Sequence, residues 1–161
     1  MNEVVLNDQL HLAYPDGFRL MDDEELARLF TDQVPNSWGI WDTDRHIVVS
    51  VLWNESNALL SKLVSNKDLA KRIRKHLSKA YANSGFRADG VVKTEVCGTE
   101  ACGFDFDYQV EGIDQVGKIM VFKHVEARTC CCDTIYYYAR KEQAEVGKAA
   151  LDQILATFAV E

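Results

Sequence analysis

Cysteines at positions 97, 102, 130, 131 and 132 carry the sharpest chemical signal in this chain of 161 residues. Cys97 and Cys102 flank Gly98 to Ala101, and across a four-residue hairpin loop they would face each other at a separation that a disulfide can bridge. Cys130, Cys131 and Cys132 are consecutive on an expected strand, so Cys130 and Cys132 face one way and Cys131 the other. The three cannot then converge on one ion. A zinc site would have to join Cys97 and Cys102 to one of them and to His124, and no second well-spaced cysteine pair supports it. The cysteines are therefore read as small apolar packing residues, with no metal and no cofactor assigned.

Three further groups could do chemistry or bind. Asp105 and Asp107 project from one face of a strand, a layout for a divalent cation or for paired acid and base roles, but no partner in sequence supports either use. They read as a solvated or salt-bridged face. A small-molecule or metal-dependent site around Cys97, Cys102, Asp105 and Asp107 is the alternative to a binding function. The helix expected over residues 67–79 sets Lys67, Lys71, Arg72, Arg74, Lys75 and Lys79 against Asp68 alone. Long basic side chains on an outer face commonly cover apolar surface, but the same stripe could dock an acidic partner through Arg72 and Lys75. Trp38 and Trp41, beside the Pro35-Asn36-Ser37 loop, point to opposite faces of a strand, and at least one is expected to reach the surface as an interaction anchor. The partner-binding candidates are thus Trp38, Trp41, Arg72 and Lys75. The four histidines are scattered singly, and no nucleophile elbow, phosphate loop, zinc-protease helix, dinucleotide fingerprint or calcium loop occurs. No catalytic residue is assigned.

The elements that must position these groups are legible. Val4 to Leu6 and Leu10 to Tyr14 form an opening hairpin around Asn7-Asp8-Gln9. Asp22 caps a helix with Glu25 as its third residue, and Pro35-Asn36 ends that segment. Trp38 to Trp41 and His46 to Trp53 pair across Asp42-Thr43-Asp44. The second of these strands is apolar on both sides, which places it inside a sheet covered on both faces, with helices as the covers. Leu69, Ile73 and Leu77 mark an amphipathic helix stopped by Asn83-Ser84-Gly85. Strands follow over 91–96, 101–110, 116–125 and 130–139, antiparallel because no connection holds a crossover helix. Phe104, Phe106, Tyr108 and Val110 share one face of the second, opposite Asp105, Asp107 and Gln109. Val146, Ala150, Leu151, Ile154 and Phe158 stripe a closing helix.

Composition bounds the function. With 47% apolar and 27% charged residues and two prolines, the chain reads as one domain over 1–161. A net charge of −7 repels phosphate backbones, so no nucleic-acid partner is expected. No stretch approaches the roughly 20 apolar residues of a membrane span. Met1 to Asp8 lacks a basic start and a long apolar run, so a cytoplasmic protein is expected.

The phrase Leu12-Ala13-Tyr14-Pro15-Asp16-Gly17-Phe18, the acidic helix start after it, the Gly103-Phe104-x-Phe106-x-Tyr108 core, the Tyr136-Tyr137-Tyr138 strand and the closing helix recur together. In these the chain resembles the family that joins the PsbP protein of photosystem II, the Ran-binding Mog protein and a group of small bacterial proteins. The resemblance implies an antiparallel sheet between helical layers, used mostly for docking onto proteins, in some bacterial relatives as chaperones. It implies no shared active site. The expectation is an α+β fold in which about six or seven antiparallel strands lie between α-helices. The expected role is a non-enzymatic module that binds a protein partner, as an adaptor or chaperone.

Overall fold

The computed structural model describes residues 1–30 and 36–161. Strands β1 (Asn2–Leu6) and β2 (Leu10–Tyr14) form the opening hairpin. Asn7 and Asp8 turn it at φ 50° and 57°, a left-handed conformation that their short polar side chains tolerate. After β3 (Arg19–Leu20), helix α1 (Asp23–Phe30) opens on a reciprocal cap. Glu25 N–H donates to Asp22 Oδ1 at 2.8 Å and Asp22 N–H donates to Glu25 Oε2 at 2.9 Å, so two orphan donors of the first turn are satisfied. The stop expected at Pro35 lies outside the described residues. Strands β4 (Ser37–Asp42) and β5 (Ile47–Asn57) pair next, followed by the short α2 (Ala58–Ser61) and by α3 (Asn66–Ala80). Ser65 caps α3 by accepting Asp68 N–H at 3.1 Å, and Gly85, at φ 64°, lies just beyond the 3-10 turn that ends the segment.

The second half is a meander. Strands β6 (Arg87–Ala88), β7 (Val92–Val96), β8 (Thr99–Val110), β9 (Ile113–Glu126) and β10 (Thr129–Arg140) lead to α4 (Ala144–Leu155) and β11 (Ala159–Val160). The main sheet runs β3-β4-β5-β10-β9-β8-β6, with β7 also on β8, and all its pairings are antiparallel. It has eight strands where six or seven were expected. The two-residue ribbons β3 and β6 account for the surplus, being too short to show a period. As expected, β5 is interior, between β4 and β10.

Both faces are covered. On one, α3 lays Leu69, Ala70, Ile73 and Leu77 over Cys102, Phe104, Phe106, Tyr108, Ile119 and Val121, and α1 lays Leu26 and Phe30 over Leu52. Burial stabilises each of the larger side chains by about 1.5–3 kcal/mol. Gly117 admits the Phe106 ring, since any Cβ there would run into it. On the other face α4 supplies Ala150, Leu151 and Ile154, but it shares the cover with a second sheet, β1-β2-β11. Leu10, Leu12 and Tyr14 alternate inward from β2 onto Ile40, Val49, Val51 and Ile135. The cover of that face is thus half helix and half hairpin, because the hairpin's own period-2 stripe needs an apolar surface to bury against.

Candidate functional site

The residues singled out in sequence do not form one site. Trp38 is buried against Tyr14, ring centroids 5.7 Å apart. It faces the hairpin cover, which withdraws it from the surface as a docking anchor. Trp41 points the other way, half-buried beneath the Arg19 guanidinium at 4.8 Å. Arg72 and Lys75 are exposed on α3, which packs on β8 and β9, several strands from Trp41 in β4. Arg74 of the same stripe is committed to structure, donating to the carbonyls of Ala88 at 2.8 Å and Asp89 at 2.9 Å.

The cysteine and aspartate site also comes apart. The loop between β7 and β8 has two residues, not four: Val96 pairs with Thr99, and Cys97 and Gly98 turn at φ 45° and 75°. Cys97 sits in the turn beside the hairpin-side core, whereas Cys102 lies three residues into β8 under α3. All five cysteines are free. Asp105 and Asp107 leave the sheet on the side away from Cys102 and pair with Lys118 at 3.6 Å and Arg87 at 3.2 Å. They border a 360 Å³ recess beside α4 that also holds Asp89, Lys148 and Asp152.

What the fold does assemble is a polar cluster at the sheet end where the β9–β10, β1–β2 and β7–β8 turns meet. The turn at Ala127-Arg128 sets Glu126 against Thr129, which places His124 directly across from Cys131. Alternation puts Asp133 on the same face as Cys131. The Asp133 carboxylate accepts from His124 Nε2 at 2.5 Å and from the Cys131 thiol at 3.7 Å. Their side chains are nearly enclosed, 9% exposed for His124 and 3% for Asp133. Asn7 Nδ2 donates to Cys131 Sγ at 3.7 Å and to Glu55 Oε1 at 2.8 Å, tying the N-terminal turn to the cluster. Burial, seconded by the Asp133 carboxylate, pushes the Cys131 thiol up to about 12, and the same two causes raise Cys97. Cys131 therefore keeps its proton at neutral pH. The order Cys–Asp–His also leaves the imidazole without a bond to sulfur, so this is not a nucleophile activated by a base.

The cluster was half visible in sequence. Cys131-x-Asp133 shares a face on any strand, but the third member depends on a hairpin register set by a turn that contains neither Asn nor Gly.

The same end of the sheet carries an apolar surface that the sequence reading passed over. Asn57 ends β5 and caps α2, its Oδ1 accepting Leu59 N–H at 2.9 Å. Ala58 N–H donates to the Arg128 carbonyl at 2.9 Å, and Lys123 Nζ donates to the carbonyls of Ser61 and Val64. These polar contacts pin the segment by its backbone and leave its leucines outside. Leu59, Leu60 and Leu63 are 74%, 63% and 79% exposed. Val125, 60% exposed, stands two residues beyond Lys123 on the same face of β9.

No family model matches the chain, and no curated protein matches it. Solved structures do. Cyanobacterial PsbP (CyanoP) from Synechocystis superposes with a TM-score of 0.65 at 16% identity, over 96% of this chain and 88% of that one. LpqN of Mycobacterium tuberculosis, described as involved in cell envelope biogenesis, gives 0.64 at 12% identity, over 94% and 82%. The Ran-binding protein Mog1p of Saccharomyces cerevisiae gives 0.56 at 14%, over 99% and 94%. Among the described residues no helix is long and apolar enough to cross a membrane. The eight-stranded antiparallel sheet, its helical layers and these superpositions together identify the fold as that of the PsbP and Mog proteins.

Proposed function

We propose that the chain is a non-enzymatic protein-binding module, an adaptor or a chaperone for a protein client, that docks through the α2 end of its sheet. One observation carries the reading: Leu59, Leu60 and Leu63 stand outside within five consecutive positions, held there by polar contacts to their backbone. Single exposed leucines are ordinary, but a cluster of them marks an interaction surface. Burying each against a partner would contribute about 1.5–3 kcal/mol before the cost of association. The likeness to Mog1p, a Ran-binding protein, supports a docking role for this fold and carries no partner across. The module works as one domain over residues 1–161, in the cytoplasm.

A second reading places an acidic partner on α3, where Lys67, Lys71, Arg72, Lys75 and Lys79 are exposed. Affinity capture from native lysate separates the two. The tagged full chain is compared with a Leu59→Asp, Leu63→Asp variant and a Trp41→Ala, Arg72→Glu variant. A stoichiometric protein lost only with the leucine variant, and retained at high salt, supports the α2 end. Loss with the Arg72 variant and at high salt moves the site to α3. Equal capture by all three chains overturns both.

A further inference from the structure

We propose that His124 Nε2, Cys131 Sγ and a carboxylate oxygen of Asp133 form a three-ligand site for a borderline-soft divalent metal ion, zinc above all, with water as the fourth ligand. The site stands apart from the docking reading. Its donor atoms all lie within 4.8 Å of one another. They come from two directly paired strands, Cys131 and Asp133 on β10 and His124 opposite Cys131 on β9, so the backbone already holds their relative positions.

The geometry is close to what an ion needs. Bonds of about 2.0–2.3 Å in a tetrahedron separate neighbouring ligand atoms by roughly 3.5 Å. Cys131 Sγ and Asp133 Oδ1 are 3.7 Å apart, close to the length of one such edge. His124 Nε2 meets the other oxygen of the same carboxylate, Oδ2, at 2.5 Å, a contact that must open by about 1 Å as the ion replaces their hydrogen bond. Asn7 Nδ2 already donates to the sulfur, the kind of outer contact that orients a coordinated thiolate. Imidazole with sulfur favours zinc over magnesium or calcium, which take oxygen ligands.

Charge balances as well. On binding, the Cys131 S–H bond breaks heterolytically and its proton goes to solvent, while the imidazole moves its proton from Nε2 to Nδ1. One thiolate and one carboxylate then neutralise a divalent ion in an enclosed setting, where an uncompensated charge would be costly. Cys97 and Cys102, the pair first suspected in sequence, take no part.

The test titrates cobalt(II) into the reduced, chelator-stripped full chain. The expected result is one equivalent bound, with a thiolate-to-cobalt charge-transfer band in the near ultraviolet, the visible bands of tetrahedral cobalt, and loss of both on adding zinc. Cys131→Ser abolishes the charge-transfer band, whereas a Cys97→Ser, Cys102→Ser variant keeps it. His124→Gln weakens zinc binding by at least about tenfold. Absence of a thiolate band in the folded natural chain overturns the proposal without any variant. So does a band that survives Cys131→Ser in a chain whose circular dichroism is unchanged.

Discussion

His124→Phe tests how the buried cluster contributes to stability. The substitution keeps a ring of similar size next to Phe122, whose centroid is 6.1 Å away, but removes the donor that the Asp133 carboxylate meets at 2.5 Å. Asp133 is then left, 3% exposed, with the thiol of Cys131 at 3.7 Å as its remaining side-chain donor among the described residues. Thiols are weak donors. Leaving a buried charged acceptor without its donor costs about 3 kcal/mol, whereas replacing both partners by apolar groups of similar shape is nearly neutral or stabilising. His124→Phe should therefore lose about 3 kcal/mol or more, a large part of a total that is usually about 5–15 kcal/mol. The double variant His124→Phe, Asp133→Leu should recover most of that loss, giving a coupling of about 2 kcal/mol or more. Urea unfolding with chelator present reads this directly: at a slope of about 2 kcal/mol per molar, the single variant lowers the midpoint by about 1.5 M. A single variant within about 1 kcal/mol of the natural chain, or a double variant as damaged as the sum of its parts, would refute the reasoning.

Gly117→Ala drives a Cβ into the Phe106 ring; overpacking of this kind costs about 1–3 kcal/mol, and Phe106→Leu on the same background should return part of it in urea midpoints. Ser65→Ala removes the side chain that accepts Asp68 N–H at the start of α3 and should cost about 1 kcal/mol by the same measurement, with Ser65→Asp restoring it. The Arg19 guanidinium, at 2.6 Å, and then the Asp22 N–H hold the Glu25 carboxyl at about 2, below its ordinary 4.5. A carboxylate depressed in the folded chain stabilises above its unfolded value, and that stabilisation fades as pH falls toward its folded one. Glu25→Gln should thus be less stable than the natural chain at neutral pH and converge with it near pH 2, seen as a shallower acid limb in thermal melts; parallel limbs would refute the pairing.

The local rules of the chain were sufficient for its longer elements, though not for β3, β6, α2 or β11. Asp22 and Glu25 sit at capping-box spacing. The 104–110 alternation needs only the pleat, and α3 and α4 needed only their apolar stripes, although Val146 of the expected α4 stripe is exposed and Phe158 lies beyond the helix end. Each of these signals is carried by residues a few positions apart, whose energetics do not depend on what lies elsewhere. Register and cover were different. Whether Cys97 faces Cys102 turns on a loop of two residues or four. Whether His124 meets Cys131 turns on a shift of one position at Ala127-Arg128, and a one-residue slip would send either side chain to the opposite face. Trp38 and Trp41 were correctly separated by alternation, but only the packing of Tyr14 onto the sheet decided that Trp38 is the buried one. Leu59, Leu60 and Leu63 read as unremarkable apolar residues until Lys123 and Arg128, about 60 to 70 residues away in the chain, were seen to pin the backbone of their segment and leave the side chains in solvent. Sequence determined which of the longer segments become strand and helix because those preferences are short-range. The tertiary structure alone decided which side chains meet, because pairing between distant strands is settled by burial summed over the whole sheet.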